Sequence, residues 1–109
     1  MEKLLTILTP THNRGKYLGD IFKVLQQQTN QNFEWMIVDD GSTDNTKEIV
    51  ESFIESNKLR IRYFYKENGG KHTAVNYGLK YISTKLTVIL DSDDYFTNDA
   101  VEVIEKTYN

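Results

Sequence analysis

The sequence predicts an α/β protein with a mainly parallel sheet and helices on both faces of that sheet. Four short apolar runs, rich in β-branched and aromatic residues, alternate with four segments whose apolar residues recur at helical spacing. A polar loop follows each apolar run. Because a helix between two strands returns the chain to the same edge of the sheet, we expect right-handed crossovers and parallel neighbours.

The expected strands are Leu4–Thr9, Phe33–Val38, Ile61–Tyr65 and Leu86–Leu90. Each is short and apolar, as a strand covered on both faces usually is. Aromatic residues of the second and third runs occupy alternate positions, which is typical of side chains that face a core. They are therefore expected to be core residues and not a platform for stacking nucleic-acid bases.

Apolar faces at helical spacing mark the four expected helices. These faces consist of Leu18, Ile21, Phe22 and Leu25; of Ile49, Val50, Phe53 and Ile54; of Val75, Leu79 and Ile82; and of Val101 and Ile104. Polar residues that favour helix caps precede three of the helices, at 42–44, at Thr73 and at 97–99. We therefore expect Asp44 and Asp99 to cap helices and not to bind a metal.

The composition limits the classes of function. The 109 residues are enough for one domain with one core, and the 39% hydrophobic and 27% charged residues are typical of a globular protein. No apolar run is long enough for a membrane span or a signal peptide, so a cytoplasmic location is expected. The absence of cysteine excludes disulfides and thiolate metal sites. A net charge of −3 with scattered basic residues predicts no nucleic-acid partner.

Polar loops after the four strands are the expected functional region, because parallel sheets bind ligands beyond the carboxyl ends of their strands. Six aspartates are expected to gather there: Asp39, Asp40, Asp44, Asp91, Asp93 and Asp94. Since crowded carboxylates repel, a divalent cation is predicted, either Mg²⁺ or Mn²⁺, with a phosphorylated ligand completing its coordination. Lys71 and the preceding glycines at a helix start suit such a ligand, although residues 68–70 are equally consistent with a simple turn.

Four motifs, TPTHNR, VDDGSTDNT, ENGGKHTAVNYGL and LDSDD, occur in this order at successive strand ends. Together they resemble the nucleotide-binding half of family-two glycosyltransferases, which are inverting enzymes of the GT-A fold, over essentially the whole chain. The resemblance implies a Rossmann-like sheet, a nucleoside-diphosphate sugar as donor, commonly a UDP-sugar, and Mg²⁺ or Mn²⁺ bridging the diphosphate.

The site residues that the resemblance implies are Pro10, Thr11, Asp40, Asn68, Gly69, Gly70, Lys71, Asp91 and Asp93. Pro10 and Thr11 would line the base pocket, Asp40 would bond the uracil, and the segment from Asn68 to Lys71 would border the nucleotide. The pair Asp91 and Asp93 corresponds to the DxD motif of the family. Asp93 is the expected metal ligand, and Asp91 is expected at the ribose and beside the metal.

An inverting transfer also needs a general base for the acceptor hydroxyl. In the family this base lies beyond the DxD motif, so it is expected beyond Asn109. Residues 1–109 are therefore expected to be a single nucleotide-sugar-binding domain, shorter than a complete catalytic domain and inactive alone. The alternative is a nucleotide-binding module without transferase activity. An uncovered fourth strand or the last helix, Ala100–Tyr108, predicts self-association.

Three other classes of protein share parts of these patterns. An EF-hand loop fits the acid spacing from Asp91 to Glu102, but Phe96 stands where the loop needs glycine. A response-regulator receiver domain carries its acid pair after the first strand, whereas here the pair follows the second. A haloacid-type phosphatase carries its DxD after the first strand, whereas DSDD follows the fourth.

Overall fold

The computed structural model describes residues 3–92, 94 and 96–108 as one four-stranded sheet with flanking helices. The strands are β1 Leu5–Thr11, β2 Phe33–Asp40, β3 Ile61–Lys66 and β4 Leu86–Ile89. The helices are α1 Gly15–Gln26, α2 Thr46–Ser56, α3 Lys71–Leu79 and α4 Ala100–Tyr108. The predicted alternation of strands and helices is confirmed.

The sheet has the strand order β3-β2-β1-β4, and its three pairs of neighbours are all parallel. From β1 the chain first adds strands on one side, β2 and then β3, and later returns to place β4 on the other side. The strand order therefore reverses between β1 and β4. Open α/β sheets bind ligands at such a reversal point, at the carboxyl ends of the strands.

One face of the sheet packs against α1, α2 and α4. Leu18, Val50 and Val101 from these helices are buried against it, within the larger of the two hydrophobic clusters. Trp35 of β2 belongs to this cluster and lies beside the stacked rings of Phe22 and Phe53, and its Nε1 donates to Thr9 Oγ1 at 2.9 Å. The buried indole is thus both packed and hydrogen-bonded, as a buried tryptophan requires.

The other face packs against α3, and the contact differs from the predicted one. Ala74 and Gly78 are the buried residues of this helix, and a Cβ on Gly78 would lie 2.5 Å from Leu8 Cδ1. The helix is therefore seated on the sheet through small residues, which apolar spacing does not reveal. Leu79, expected in the core, is 48% exposed, whereas Val75 and Ile82 pack against this side of the core as expected, Ile82 from beyond the end of the helix.

Pro10 prevents further pairing between β1 and β4. Leu8 O accepts a hydrogen bond from Leu90 N, and Pro10, two residues later, faces β4 in the same way but has no N–H to donate. Pairing of β1 with β4 accordingly ends at Leu8, whereas pairing with β2 continues to Thr11. The extension of β1 past its predicted end thus creates a gap beside β4.

Among the helices of the described residues, none has the length and apolar character needed to cross a membrane.

Candidate functional site

A cleft of about 480 Å³ lies at the carboxyl ends of β1 and β4, where the strand order reverses. Its described lining residues are Pro10, Thr11, His12, Arg14, Asp40, Lys71, Asp91 and Ser92. Five of these were predicted site residues from four separate loops. The fold therefore brings together residues that are up to 81 positions apart in the sequence, from Pro10 to Asp91.

Asp40, the last residue of β2, is 3% exposed and receives hydrogen bonds from four donors. Its Oδ1 accepts from Lys66 Nζ at 2.7 Å and from Gly69 N at 3.0 Å. Its Oδ2 accepts from Gly70 N at 2.8 Å and from Asn68 Nδ2 at 3.2 Å. Because a carboxylate has about four acceptor positions, this one is fully occupied.

These contacts keep Asp40 ionised. Burial raises the pKa of the carboxyl group, but the hydrogen bond from Lys66, those from Gly69 N and Gly70 N, and the Lys66 charge together outweigh burial. The pKa of Asp40 therefore lies below its usual value of 3.8. The ion pair is itself protected from solvent, since the Lys66 side chain is 15% exposed and that of Asp40 4%.

The segment 68–70 is more than a simple turn, because it wraps around the Asp40 carboxylate. Gly70 precedes α3 with φ 103° and ψ 160°, a region that only glycine adopts without strain. Gly41 has φ 74°, and a Cβ there would lie 2.7 Å from Asn68 N. Both glycines thus permit the close approach, and Lys71 follows as the first residue of α3.

Asp91 follows β4 and lies across the cleft from α3. Lys71 Nζ donates to Asp91 Oδ2 at 2.5 Å, and the two side chains are 61% and 26% exposed. Asp91 N donates to Asp94 Oδ2 at 2.9 Å, and Asp94 N donates back to Asp91 O at 3.0 Å. Asp93, the predicted metal ligand, lies outside the described residues.

The carboxylate oxygens of the cleft suit Mg²⁺ or Mn²⁺, with part of the coordination supplied by a bound molecule. Within residues 3–92, 94 and 96–108, no three histidine or acidic side chains are arranged to hold a metal ion. Mg²⁺ typically takes one or two carboxylates and completes its coordination with water and phosphate oxygens. The half-buried Asp91 carboxylate in the cleft fits such a site, because its oxygens face a cation already, the Lys71 ammonium.

Asp39 and Asp44 lie at the predicted edge of the sheet, at and after the end of β2, but they line a groove separate from the cleft. Successive residues of a strand point to opposite faces, so Asp39 points away from Asp40. It accepts from Tyr63 Oη at 2.6 Å and Ser42 N at 2.9 Å, and it lines a separate groove with Asp44. Burial and the Asp39 hydrogen bond and charge raise the pKa of Tyr63 well above its usual range, so the phenol remains a donor.

Asp44 caps a helix, as expected, and it does so for both α1 and α2. Its Oδ1 accepts from Thr46 N at 3.0 Å, in the first turn of α2, and its Oδ2 accepts from Gly15 N at 3.3 Å, at the start of α1. Burial raises the pKa of Asp44, but hydrogen bonds from the Thr46 side chain and from these amides outweigh burial, so the pKa is lowered. Asp44 thus ties the first two helices together.

The prediction of a cation from crowded carboxylates did not take into account that two of them have lysine partners. Lys66 neutralises Asp40 and Lys71 neutralises Asp91. Neither lysine forms part of a basic run in the sequence. Lys66 reaches its partner because β3 pairs with β2, and Lys71 reaches its partner from the start of α3. The case for a cation therefore rests on the chemistry of the cleft and not on uncompensated repulsion.

Three lining residues were missed by the sequence analysis: His12, Arg14 and Ser92. His12 Nδ1 donates to Asp40 O at 2.8 Å, since a carbonyl oxygen can only accept. The Arg14 guanidinium lies over the Tyr17 ring, 5.4 Å from its centroid. All three fall within the quoted motifs, so their position beside predicted residues was the available signal.

Thr11 differs from the other polar residues of the cleft. It is 4% exposed, and among the described residues its Oγ1 is a buried side-chain oxygen with no hydrogen-bond partner. Buried hydroxyl groups are normally hydrogen-bonded, and an unpaired one calls for an explanation. A ligand in the cleft would supply the missing partner.

Comparison with known proteins identifies relatives. A model of the family Glycosyl transferase family 2 matches residues 6–108. Glycosyltransferase GlyG of Streptococcus pneumoniae serotype 4 is 37% identical over 105 residues, which cover 95% of this chain and 35% of GlyG.

Two solved structures share the fold at appreciable sequence identity. Residues 1–349 of S. aureus TarS in complex with UDP-GlcNAc match with a TM-score of 0.86 and 31% identity, covering 94% of this chain and 30% of that one. Mannosyltransferase PcManGT from Pyrobaculum calidifontis, in complex with GDP-Man and Mn²⁺, matches with a TM-score of 0.78 and 26% identity over 85% of this chain and 28% of that one. The chain thus spans about a third of the length of these relatives.

Proposed function

Because the chain belongs to glycosyl transferase family 2, we propose that its cleft binds a nucleoside-diphosphate sugar, preferably a UDP-sugar, with Mg²⁺ or Mn²⁺ for inverting glycosyl transfer. The cleft at the reversal of strand order carries this proposal, since it joins the motifs of four loops around one cavity. The UDP-GlcNAc bound by TarS and the GDP-Man and Mn²⁺ bound by PcManGT support the ligand class.

The base of the nucleotide is proposed to lie against Pro10, Thr11 and His12. Thr11 Oγ1 would gain there the hydrogen bond that it lacks within the chain. Asp40 is proposed to accept from the uracil N–H. Since its four acceptor positions are filled, the base must displace Asn68 Nδ2, the most distant of the donors at 3.2 Å. Asn68 keeps a second acceptor, Asp40 O, at 3.0 Å.

The diphosphate is proposed to lie between Lys71 and the loop that contains Asp91 and Asp93. A cation bound there stabilises the charge that builds on the leaving diphosphate more in the transition state than in the ground state. Asp93 and Asp91 would hold this cation through carboxylate oxygens. The Lys71 ammonium, on the opposite wall of the cleft, would bind phosphate oxygens and share in charge neutralisation.

A polypeptide of these 109 residues alone is proposed to bind its donor without transferring the sugar. The two carboxylates that line the described part of the cleft are both engaged, Asp40 by four donors and Asp91 by Lys71. With the donor bound, Asp40 would be occupied by the base and its remaining donors and Asp91 by the cation, so neither would be available to take a proton from an acceptor hydroxyl. Steady release of UDP by this polypeptide in the presence of a saccharide acceptor would contradict the proposal.

Titration calorimetry with UDP, in Mn²⁺ and again in excess chelator, tests the metal part of the proposal. Wild type should bind UDP more tightly in Mn²⁺. Asp93→Ala should reduce that gain by about tenfold or more, because a lost ligand to a charged group costs roughly 1.5–3 kcal/mol. An unchanged metal-dependent affinity in Asp93→Ala would refute the assignment of the cation site.

Thr11→Val tests the base part without disturbing the fold. Removing an unpaired buried hydroxyl should leave the free energy of unfolding unchanged or slightly higher. Uridine affinity in chelator should fall about threefold to tenfold, as for one lost hydrogen bond of roughly 0.5–1.5 kcal/mol, while affinity for inorganic diphosphate stays the same. Equal losses for uridine and diphosphate would contradict the placement of the base.

Self-association of the 109-residue polypeptide is proposed through β4 or α4. Among the described strands β4 pairs only with β1, and Ile89 on it is 46% exposed. On α4, Val103 and Tyr108 are also about half exposed. An open strand edge beside apolar side chains favours pairing with another chain. Light scattering should show dimers that Ile89→Lys dissociates, whereas a monomer at millimolar concentration would contradict this.

A further inference from the structure

An ion pair between Lys71 and Asp91 spans the proposed phosphate end of the cleft. Lys71 is the first residue of α3, and its Nζ lies 2.5 Å from Asp91 Oδ2 in the loop after β4. The lysine side chain is 61% exposed and the aspartate 26%, so this pair is accessible to solvent and to ligands. It differs in this respect from the shielded pair of Lys66 with Asp40.

An ammonium group at Asp91 competes with a divalent cation for the same carboxylate. Two cations within about 4 Å of each other repel, and the repulsion is stronger in a cleft than in bulk water. A metal ion that approaches Asp91 in the nucleotide-free protein must therefore displace the lysine or tolerate its charge. Either course weakens metal binding.

A diphosphate removes this conflict, because its oxygens offer the lysine another partner. The Lys71 backbone stays at the cleft when the side chain moves, since the preceding Gly69 and Gly70 amides are fixed on Asp40 at 3.0 and 2.8 Å. The flexible four-carbon stem of lysine then allows the ammonium to move from carboxylate to phosphate. Asp91 would be released for the cation in the same step.

We propose that Lys71 is an internal counter-ion of Asp91 that couples metal binding to nucleotide binding. In the nucleotide-free protein Lys71 occupies the Asp91 carboxylate and lowers the affinity for the cation. When the diphosphate binds, Lys71 transfers to it and the cation site becomes available. This inference rests on the proposed function, since it takes the diphosphate and the cation to bind in this cleft.

The coupling is reciprocal by thermodynamic necessity, so it can be measured from the metal side. The coupling factor is the Mn²⁺ dissociation constant without nucleotide divided by that with saturating UDP. Both constants are to be measured by calorimetry or by the electron paramagnetic resonance of free Mn²⁺, in wild type, Lys71→Gln and Lys71→Arg. Lys80→Gln at the other end of α3 is the matched control, because it removes the same charge outside the cleft.

Lys71→Gln should bind Mn²⁺ about twofold to fivefold more tightly than wild type in the absence of nucleotide, the range expected for an exposed ion pair. Its coupling factor should fall by the same ratio. UDP affinity in chelator should also fall, because the phosphate loses a cationic partner. Lys71→Arg should retain most of the coupling, and Lys80→Gln should behave as wild type.

Two results separate this inference from the proposed function. If wild type binds Mn²⁺ and UDP together but Lys71→Gln leaves the nucleotide-free Mn²⁺ affinity unchanged or weaker, the counter-ion role is refuted and the nucleotide site stands. If wild type binds no UDP in the presence of Mn²⁺, the proposed function fails and the inference fails with it.

Discussion

The two ends of the cleft hold their carboxylates in different ways. Asp40 at the end of β2 is 3% exposed, with four hydrogen-bond donors and a lysine that is itself shielded. Asp91 after β4 is partly exposed and paired with Lys71, whose side chain is largely in solvent. Asp40 is held in place by Lys66 and two backbone amides even if a ligand displaces Asn68, whereas the described partner of Asp91 is a lysine that a ligand can exchange.

This difference assigns different tasks to the two ends. Buried and fully bonded groups keep one geometry, because breaking their contacts leaves a charge without a partner. Exposed ion pairs contribute little to stability and rearrange at low cost. The Asp40 end is therefore suited to fix the position of a nucleotide, and the Asp91 end is suited to exchange its lysine for a metal ion and a phosphate.

The largest expected effect on the free energy of unfolding comes from a substitution at the Asp40 end of the cleft. Asp40→Asn should lower the free energy of unfolding by about 3 kcal/mol, because it leaves the shielded Lys66 charge without a carboxylate partner. The NH2 group of the new asparagine would also face other N–H donors instead of acceptors. Asp91→Asn should lower it by less than about 1 kcal/mol, as for an exposed pair. Urea denaturation at pH 7 measures both. Equal losses in the two variants would show that the ends do not differ.

A smaller effect is expected from the glycine that precedes α3. Gly70→Ala should cost about 1–3 kcal/mol of unfolding free energy, because φ 103° with ψ 160° is strained for a residue with a side chain. Gly19→Ala in α1 is the matched control, since a Cβ there meets no atom within 4 Å. It should stabilise the protein by roughly 0.5–1 kcal/mol. A Gly70→Ala variant as stable as Gly19→Ala would contradict the strained geometry.

The pH dependence of stability sharpens the comparison further. Because the pKa of Asp40 in the folded protein lies below 3.8, its contribution to stability is present above that value and is lost as pH falls below it. Asp44, whose pKa is also lowered, contributes with the same sign. Thermal unfolding from pH 7 to pH 2 should show a smaller acid loss in Asp40→Asn than in wild type. An identical acid loss in both would exclude Asp40 as a contributor.

Much of the fold was predictable because its pattern is local. The four apolar runs and their spacing gave all four strands, and the family motifs placed Pro10, Thr11, Asp40, Lys71 and Asp91 in one cleft. Strand ends were less predictable: β1 and β2 each continue two residues past their expected ends. Those extra pairings depend on the neighbouring strand and not on the residues themselves.

The contacts that were missed all depend on tertiary structure. Lys66 meets Asp40 only because β3 pairs with β2 in the observed register. The α3 contact uses Ala74 and Gly78, whose small size matters only against the sheet. Counter-charges and close approaches of this kind have no periodicity, so a sequence pattern does not report them. They are also what separates the fixed end of the cleft from the exchangeable one.

The smallest effect on stability, but a specific effect on binding, is expected for Asp91→Asn. The neutral amide should leave uridine affinity in chelator within about twofold of wild type, because the base is proposed to lie at the other end of the cleft. The Mn²⁺-dependent gain in UDP affinity should fall by about fivefold or more, as for a lost charged contact. A loss of uridine affinity equal to that of UDP would show that the two ends are not separate.

The most direct test of the account is a crystal of this polypeptide grown with UDP and Mn²⁺, with data collected at a wavelength where manganese scatters anomalously. We expect a manganese peak within coordination distance, about 2.0–2.3 Å, of a carboxylate oxygen of Asp91 or Asp93. We also expect the uracil against Pro10 and Thr11, and Lys71 Nζ on a phosphate oxygen instead of Asp91. UDP bound outside this cleft, or manganese in the groove of Asp39 and Asp44, would contradict it.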